Sequence, residues 1–319
     1  MTTRHFQPAI AVTGLRKSFG DHVVLDGIDL TVPQGTVFSL LGANGAGKTT
    51  MVKILSTLIS ADAGDARVAG HDVAGEPDAV RAAIGVTGQF SAVDNLLTGR
   101  ENLHLMADLH HLARGDGRAR ATALLERFDL VEAAGKPVST YSGGMRRRLD
   151  LALTLVGSPR VIFLDEPTTG LDPRSRREMW QIVRDLVADG VTIFLTTQYL
   201  EEADELADRI AVLDHGRVVA EGTADELTRR IPGGHVRLRF ADPQVVDTAL
   251  RALGEAARDS DALALRVPSD GSLRSLKTLI DRLEDRAIEV AELSVHTPDL
   301  DDVFLALTGN PKNEKVTSR

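Results

Sequence analysis

Residues 42–49 are Gly42-Ala43-Asn44-Gly45-Ala46-Gly47-Lys48-Thr49, and they follow the apolar run Val37-Phe38-Ser39-Leu40-Leu41. The stretch matches the pattern G-x-x-x-x-G-K-[ST] in the strand context that a phosphate-binding loop requires. Its glycines let main-chain N–H groups close around phosphate oxygens, Lys48 adds a cation, and the Thr49 hydroxyl can bind Mg²⁺ at the start of a helix. The sequence therefore predicts a nucleoside triphosphate site over residues 42–50, with Thr50 as its last member.

Bulk properties narrow the functional classes. The chain has 319 residues, which supports a large core split into two domains, and a formal net charge of −9. We expect no nucleic-acid partner, because phosphate neutralisation needs clustered Lys and Arg that outnumber nearby acids. Without cysteine there are no disulfides, thiolate nucleophiles or Cys-ligated metals. The longest apolar stretches, such as 149–156, are far below the roughly 20 residues of a spanning helix, and we expect no secretory signal.

The order of apolar runs predicts an α/β fold. Between residues 10 and 232, short β-rich runs alternate with helical patterns that begin near Lys48, Arg174 and Leu200. Strands are expected at 10–12, 23–30, 37–41, 84–87, 161–165, 192–197, 210–213 and 217–220. From 98 to 157 the pattern is purely helical, which predicts a helical subdomain, about residues 91–157, inserted before the next catalytic strand.

A second domain is expected after the breaker cluster Pro232-Gly233-Gly234. Strand and helix patterns restart there, with strands at 236–240, 262–267 and 288–295 and a first helix at 243–253. We therefore predict a nucleotide-binding domain over 1–232, a small C-terminal α+β domain over 233–308, and a polar, fraying tail over 309–319.

Two carboxylates, Asp165 and Glu166, end the apolar strand pattern 161–164. A buried strand can deliver Asp165 to Mg²⁺ in a dry pocket, where the metal is held partly through water. Glu166 is the candidate general base, which polarises water for in-line attack on the γ-phosphate. The alternative, a solvated acidic turn, loses most of its weight because the same chain carries a phosphate loop.

The stretch Tyr141-Ser142-Gly143-Gly144 begins another helix. Ser142 is a good N-cap, and Gly143 and Gly144 leave bare N–H groups that a phosphate can approach. Since the chain already has one phosphate cradle, this helix start is expected to meet the nucleotide of a second copy in a head-to-tail homodimer. The alternative is a glycine turn before a solvated helix. The run Arg146–Arg148 is interpreted as mostly solvated or ion-paired helix surface.

These motifs, together with Gln89 and Gly170-Leu171-Asp172, have the order and spacing of ATP-binding cassette (ABC) proteins, and the resemblance covers residues 10 to about 225. It implies a P-loop NTPase fold of the ABC type that binds ATP and Mg²⁺. By this resemblance Gln89 touches the metal or the attacking water and couples to a membrane subunit, and Asp172 lies on the dimer contact. Phe19 falls where the family stacks an aromatic on adenine; the competing interpretation is a core Phe at a strand end.

Gln198 stands where most family members have histidine. Its amide can donate a hydrogen bond to a γ-phosphate oxygen but cannot exchange a proton near neutral pH, so catalysis of proton transfer falls to Glu166. The segment Thr196-Thr197-Gln198 and the ending Pro298–Leu305 resemble the daunorubicin/doxorubicin-resistance branch of ABC ATPases. That resemblance implies a C-terminal region that supports dimerisation or assembly with a permease. A plain helix face of Leu300, Val303, Phe304 and Leu307 over a small core is compatible with it.

The predicted function is the ATP-hydrolysing motor subunit of an ABC exporter for drugs or other hydrophobic compounds. The resemblance implies a homodimer docked on a separate polytopic membrane permease at the cytoplasmic face of the cell membrane. One alternative is a soluble ABC ATPase in DNA repair or on the ribosome, although such proteins usually carry two cassettes or a long insertion. Another is a non-catalytic ATP-gated clamp, against which the intact Lys48, Asp165 and Glu166 argue.

Overall fold

The computed structural model describes residues 7–88, 93–230, 234–259, 261–269 and 272–308. The chain divides into two compact units, Met1–Ala224 and Asp225–Arg319. The predicted domain boundary at residue 232 remains a prediction.

The first unit contains strands and helices in alternation. Its strands are β1 (Ile10–Phe19), β2 (His22–Val32), β3 (Val37–Leu41), β4 (Ala63–Val68), β5 (His71–Asp72), β6 (Ile84–Thr87), β7 (Val161–Asp165), β8 (Thr192–Thr197), β9 (Arg209–Asp214) and β10 (Arg217–Gly222). Its helices are α1 (Lys48–Leu55), α2 (Pro77–Ala83), α3 (Gly99–Leu109), α4 (Arg114–Arg127), α5 (Gly143–Thr154), α6 (Pro173–Ala188) and α7 (Leu200–Leu206), with 3-10 turns at Val131–Ala133 and Val138–Thr140. Helix α8 (Ala224–Thr228) lies where the two units meet in sequence.

Within the described residues, the central sheet has six strands in the order β10-β9-β3-β8-β7-β6. Strands β6, β7, β8, β3 and β9 are mutually parallel, and β10 pairs antiparallel with β9 at the edge. The carboxyl ends of β3, β7 and β8 therefore meet at one edge of the sheet, which is the edge where ligands bind in open α/β sheets. The phosphate loop, Asp165 and Gln198 all lie at that edge.

Both faces of this sheet are covered. Along β7, Val161 and Phe163 belong to one apolar core, whereas Ile162 and Leu164 belong to another. This alternation follows from the two-residue period of a strand, and burial of both faces is typical of parallel sheets. The first core also contains α1 and an antiparallel sheet with the order β2-β1-β4-β5 among the described strands.

The second core contains the helical region between β6 and β7. Leu103, Leu124, Phe128 and Leu149 are all buried in it, and the four-residue spacing of Leu124 and Phe128 places both on one face of α4 and its C-terminal end. Helix α3 begins with a capping box, in which Thr98 accepts from the Glu101 N–H and the Glu101 carboxylate accepts from the Thr98 N–H. In the described part of this region all regular elements are helical.

The second unit has its own core. Its elements are β11 (His235–Arg239), α9 (Pro243–Leu253), β12 (Ala257–Arg258), β13 (Ala264–Pro268), α10 (Leu273–Glu284), β14 (Glu292–His296) and α11 (Leu300–Thr308). The described strands form an antiparallel sheet in the order β12-β13-β11-β14. Leu238 of this sheet packs with Val246 of α9 and Leu283 of α10. On α11, Val303 is buried but Leu307 is 37 % exposed, so the predicted apolar face is only partly covered.

Several strand boundaries differ from the predicted ones. Strand β1 continues to Phe19 instead of ending at residue 12, because its polar outer positions pair with β2 and β4. Strands β4, β5 and β12 were not predicted, since they are short or polar and owe their conformation to main-chain pairing with neighbours. The strand expected at 288–295 is confined to Glu292–His296, and Ile288 packs into the core of the second unit instead.

Candidate active site

The phosphate loop connects the fully buried strand β3 to helix α1. The Gly42 N–H donates to the Thr197 carbonyl oxygen at 3.2 Å, which fixes the loop to the end of β8. Lys48 is only 3 % exposed, and its Nζ donates to the carbonyl oxygens of Gly42 at 2.8 Å and Ala43 at 3.1 Å. The ammonium is therefore held against the loop where phosphate groups would bind.

Two glycines of this loop have no room for a side chain. Gly47 has φ of 111°, and a Cβ there would lie 2.8 Å from Leu25 Cδ2 and 2.9 Å from the Val24 carbonyl oxygen. A Cβ at Gly42 would lie 2.5 Å from the Leu213 carbonyl oxygen. Only glycine fits at both positions, and this requirement keeps the main-chain N–H groups of the loop accessible.

Asp165 ends β7 beside the loop. Its Oδ2 accepts from the Thr49 hydroxyl at 2.9 Å, and its Oδ1 accepts from the Thr196 hydroxyl. The carboxylate is 3 % exposed. A hydroxyl and a carboxylate oxygen thus face each other next to Lys48, a donor set that suits Mg²⁺, which binds few protein oxygens and keeps other positions for water and phosphate. Among the described residues no cluster of three or more His, Asp or Glu side chains is arranged for a metal.

Glu166 turns the chain out of the sheet. Its φ is 50°, a left-handed conformation that few non-glycine residues adopt, and its N–H donates to the Thr196 carbonyl oxygen at 3.0 Å. The carboxylate Oε1 lies 3.5 Å from Lys48 Nζ, with the side chain 10 % exposed. This backbone strain is held by the hydrogen bond to β8, and it brings the predicted base next to the phosphate loop.

The two predicted glutamines, Gln198 and Gln89, follow strands β8 and β6 in the sequence. Gln198 directly follows β8 and is half-buried, and the turn after it is fixed by a hydrogen bond of 3.0 Å from the Tyr199 N–H to Thr197 Oγ1. Gln89, predicted to touch the metal or the attacking water, lies outside the described residues. Its preceding residue, Gly88, accepts at its carbonyl oxygen from Arg147 Nη1 at 3.2 Å.

The Ser142-Gly143-Gly144 segment begins α5 as expected. Ser142 Oγ accepts from the Met145 N–H at 3.2 Å, so Ser142 is the N-cap. Ser142 and Gly143 are exposed and Gly144 is half-buried. The first turn of α5 contains no acidic residue, so the positive end of the helix dipole is not neutralised there. The segment can therefore accept an anion supplied by another molecule.

Asp172 caps helix α6. Its Oδ1 accepts from the N–H groups of Arg174 and Ser175, each at 3.0 Å, and its Oδ2 accepts from Ser175 Oγ at 2.6 Å. The hydrogen bond from the Ser175 side chain is the largest cause that lowers the pKa of Asp172 below its ordinary value. Asp172 is exposed, which leaves it accessible for the predicted dimer contact.

Phe19 lies at the end of β1 and is 54 % exposed. The competing interpretation as a core residue is therefore wrong, because more than half of the residue is exposed to solvent. Lys17 Nζ lies 5.4 Å from the ring centroid. An exposed aromatic face is available for stacking, and its contact with adenine remains a prediction.

The run Arg146–Arg148, interpreted as mostly solvated or ion-paired helix surface, contains two ion-paired residues, Arg147 with Asp150 and Arg148 with Asp129, and Arg147 is also largely buried. Its side chain is 14 % exposed, and burial lowers its pKa. Arg147 Nε donates to the Pro167 carbonyl oxygen at 2.8 Å, and Nη1 also pairs with Asp150 at 3.2 Å. Arg147 thus ties α5 to the loop after Glu166. A run of three arginines carries no sequence signal that shows which of them contacts the loop after Glu166.

Four features together define a P-loop nucleoside triphosphatase: a central sheet with five parallel strands, a glycine-lined phosphate loop, a buried lysine, and two carboxylates at the end of β7. The sequence pattern of the family described as ABC transporter matches residues 25–169. The chain is 52 % identical to the daunorubicin resistance ATP-binding protein DrrA3 of Streptomyces coeruleorubidus, over 96 % of this chain and 98 % of that protein. It is 38 % identical to the Nod factor export ATP-binding protein I of Ralstonia nicotianae, over 95 % of this chain and 94 % of that protein.

A solved structure gives the same result for the fold. The dimeric post-hydrolysis structure of the ATP-binding cassette MJ0796 with ADP and Pi superposes with a TM-score of 0.61 at 25 % identity, over 67 % of this chain and 98 % of that chain. The chain therefore belongs to the ABC transporter ATP-binding proteins, in the daunorubicin/doxorubicin-resistance family.

These findings confirm the predicted P-loop α/β fold, the family, the ATPase activity and the role as ATP-hydrolysing motor subunit of an ABC exporter. They do not favour the soluble alternative.

Proposed function

We propose that this ATPase drives efflux of a drug or another hydrophobic compound, as a homodimer bound to a separate polytopic permease. The names of its relatives, which refer to daunorubicin resistance and Nod factor export, support this class of cargo. The observation that carries the proposal is the group formed by Lys48, Thr49, Asp165 and Glu166 around one phosphate loop, because that group is equipped to hydrolyse a bound triphosphate.

The homodimer places each nucleotide between two copies. One copy supplies the phosphate loop, and the other supplies Ser142-Gly143-Gly144 at the start of α5. The exposure of Ser142 and Gly143 supports this arrangement, as does the absence of acidic residues from the first turn of that helix. The dimeric form of the MJ0796 cassette is a further support. Asp172, exposed at the start of α6, belongs to the same contact surface.

Within each site the residues have distinct roles. Lys48 binds β- and γ-phosphate oxygens, Glu166 accepts the proton of the attacking water, and the Gln198 amide donates a hydrogen bond to the γ-phosphate. Gln198 has no group that exchanges protons near neutral pH, so it orients and senses the phosphate. Phe19 stacks on adenine. Gln89 contacts the metal or the water and connects the site to the permease.

Thr49 and Asp165, with Gln89, are the residues that would hold Mg²⁺. When bound there, the ion supplies neutralisation of the charge that develops on the phosphate oxygens. The hydrogen bond of 2.9 Å between Thr49 Oγ1 and Asp165 Oδ2 keeps both oxygens beside the loop.

The permease provides the membrane path. No helix in the described ranges is long and apolar enough to span a bilayer. We propose that the chain docks on its permease at the cytoplasmic face of the cell membrane, and that the C-terminal domain, with Leu300–Leu305 at its end, assists assembly of the dimer or of the complex. Co-purification of the tagged chain with a polytopic membrane protein tests this part, and recovery of the chain alone from solubilised membranes would argue against it.

The catalytic assignment is tested by Glu166→Gln. We expect this variant to bind ATP with an affinity close to that of the parent chain and to release no phosphate above background, because the amide cannot accept the proton. Glu132→Gln is the matched control, since it makes the same change at an exposed position away from the loop, and it should retain full activity. Turnover of Glu166→Gln at a rate comparable to that of the control would refute Glu166 as the base.

A further inference from the structure

A buried carboxylate lies behind the site. Glu202, on α7, is 1 % exposed, and its Oε1 accepts from Thr168 Oγ1 at 2.8 Å and from Trp180 Nε1 at 3.3 Å. Thr168 is fully buried and Trp180 is 5 % exposed. Glu202, Thr168 and Trp180 do not touch the phosphate loop in any of these contacts, so the chemistry described above does not use them.

The three residues belong to the segments that carry the site. Glu202 lies on α7, which begins two residues after Gln198. Thr168 lies in the loop between Glu166 and Asp172. Trp180 lies on α6, whose first turn is capped by Asp172. One carboxylate oxygen therefore ties the segment of Gln198 to the loop that contains the base and leads to the dimer contact.

Stability alone does not explain a carboxylate at this position. Burial raises the pKa of Glu202 above its ordinary value, although hydrogen bonds from Thr197, Thr168 and Trp180 and the charge of Arg176 act in the opposite direction. Burial of a carboxylate has a desolvation cost, and buried ion pairs are often replaceable by apolar residues of similar volume without loss of stability. The hydrogen bonds of Glu202 do, however, fix two elements in one geometry, which an apolar contact does not.

We propose that Glu202 is a positioning residue, which holds the loop 167–171 through Thr168 so that Glu166 faces the γ-phosphate when Gln198 has engaged it. The inference rests on the proposed roles of Glu166 and Gln198. Movement of Gln198 with the γ-phosphate shifts α7, and Glu202 passes this shift to Thr168 and thereby to Glu166 and Asp172. The same carboxylate thus couples nucleotide state to both the base and the dimer contact.

The test compares the two donors of the same oxygen. Thr168→Val removes the donor in the catalytic loop, and Trp180→Phe removes the donor on α6. We expect Thr168→Val to lower kcat by about tenfold or more with KM for ATP within about threefold of the parent value, because a base displaced by a fraction of an ångström still allows ATP to bind. Trp180→Phe should keep kcat within about twofold of the parent value, even if its melting temperature falls as far as that of Thr168→Val.

Conservative variants complete the experiment. Thr168→Ser and Glu202→Gln each keep the hydrogen bond and should keep kcat within about threefold, whereas Glu202→Ala should match Thr168→Val. If Thr168→Val does not fold, Thr168→Ala against Thr168→Ser gives the same comparison.

An unchanged kcat in the variant that lacks the hydroxyl overturns the proposal, and so does an equal loss in Trp180→Phe, which would indicate a purely structural role. The parent chain and Glu166→Gln, assayed in parallel, separate this outcome from failure of the proposed base. Residual turnover in Glu166→Gln would refute the assignment of Glu166 as the base. An unchanged kcat in Thr168→Val, together with an inactive Glu166→Gln, would refute only the coupling through Glu202.

Discussion

The substitution Gly143→Ala should weaken the contact between two copies without destabilising the fold of either copy. Gly143 is the first residue of α5 and is exposed, and its φ is not in the left-handed region. A Cβ built there has Leu171 Cδ2 as its nearest neighbour, at 3.9 Å, which is an ordinary van der Waals distance. Alanine therefore fits within one copy, and its smaller loss of backbone entropy on folding favours the folded state.

The effect on the dimer should be much larger. In the proposed dimer, the added methyl group stands on the helix start that the phosphate bound by the partner approaches, and we expect at least one N–H hydrogen bond to the charged phosphate to be lost at each site. Such a bond contributes about 1.5–3 kcal/mol, and a symmetric dimer contains two sites, so the loss is about 3–6 kcal/mol. We expect the ATP-dependent dimer to become about a hundredfold weaker or more.

Analytical ultracentrifugation with ATP and Mg²⁺ measures this effect in the Glu166→Gln background, where ATP is not consumed. Gly135→Ala is the matched control, because it makes the same change at an exposed glycine of the helical region with no atom within 4 Å of the added Cβ. Both variants should melt close to the parent chain and bind ATP as monomers. Dimerisation of the Gly143→Ala variant as strong as that of the control would refute the arrangement in which α5 completes the partner's site.

Three other predictions address single residues. Phe19→Ala should weaken ATP binding by about 1–3 kcal/mol in a fluorescent-nucleotide titration, whereas Phe19→Tyr should not, and equal affinities would exclude stacking. Gly144→Ala should destabilise the fold by about 1–3 kcal/mol in urea unfolding, because its Cβ would lie 2.8 Å from Ser175 Oγ; a stability equal to that of Gly143→Ala would contradict this. Since burial raises the pKa of Glu202, the folded state holds that proton more tightly than the unfolded state. Its contribution to stability is complete below the ordinary pKa and is lost as the pH rises through the raised pKa, so Glu202→Gln should flatten the pH dependence of the unfolding free energy in that window.

The central sheet was predictable because its strands are buried on both faces. The β-rich runs at 84–87, 161–165 and 192–197 coincide with β6, β7 and β8, since these strands have no exposed position that would interrupt the apolar, β-branched pattern. Strand β4 has four exposed residues out of six and contains Gly64, so its sequence carries little β signal. Its conformation depends on pairing with β1, which is a long-range contact that local pattern does not encode.

The site residues likewise fall into those that belong to local sequence motifs and those that meet only through long-range contacts. Lys48, Thr49, Asp165 and Glu166 belong to motifs whose spacing reflects one local turn each, and the structure brings them together at one sheet edge. The hydrogen bond of Glu202 to Thr168 joins residues 34 positions apart and has no motif. Thr196 is an intermediate case, because it stands beside Gln198 in the sequence, but its bond to Asp165 follows only from the parallel pairing of β7 and β8.

The two glycines at the start of α5, Gly143 and Gly144, have different physical roles. Gly143 is exposed, and in the proposed dimer its lack of a side chain lets the nucleotide of the second copy approach the helix start. Gly144 faces Ser175, whose hydroxyl donates to Asp172 Oδ2 at 2.6 Å, so its lack of a side chain matters for packing of α5 against the start of α6. In the proposed dimer, the start of α5 contacts the partner's nucleotide and the Asp172 turn contacts the partner's surface, and the packing of Gly144 on Ser175 holds these two segments in a fixed relation within one copy. Any shift of the loop that leads to Asp172 moves both contacts together, which is the property that a nucleotide-gated dimer requires.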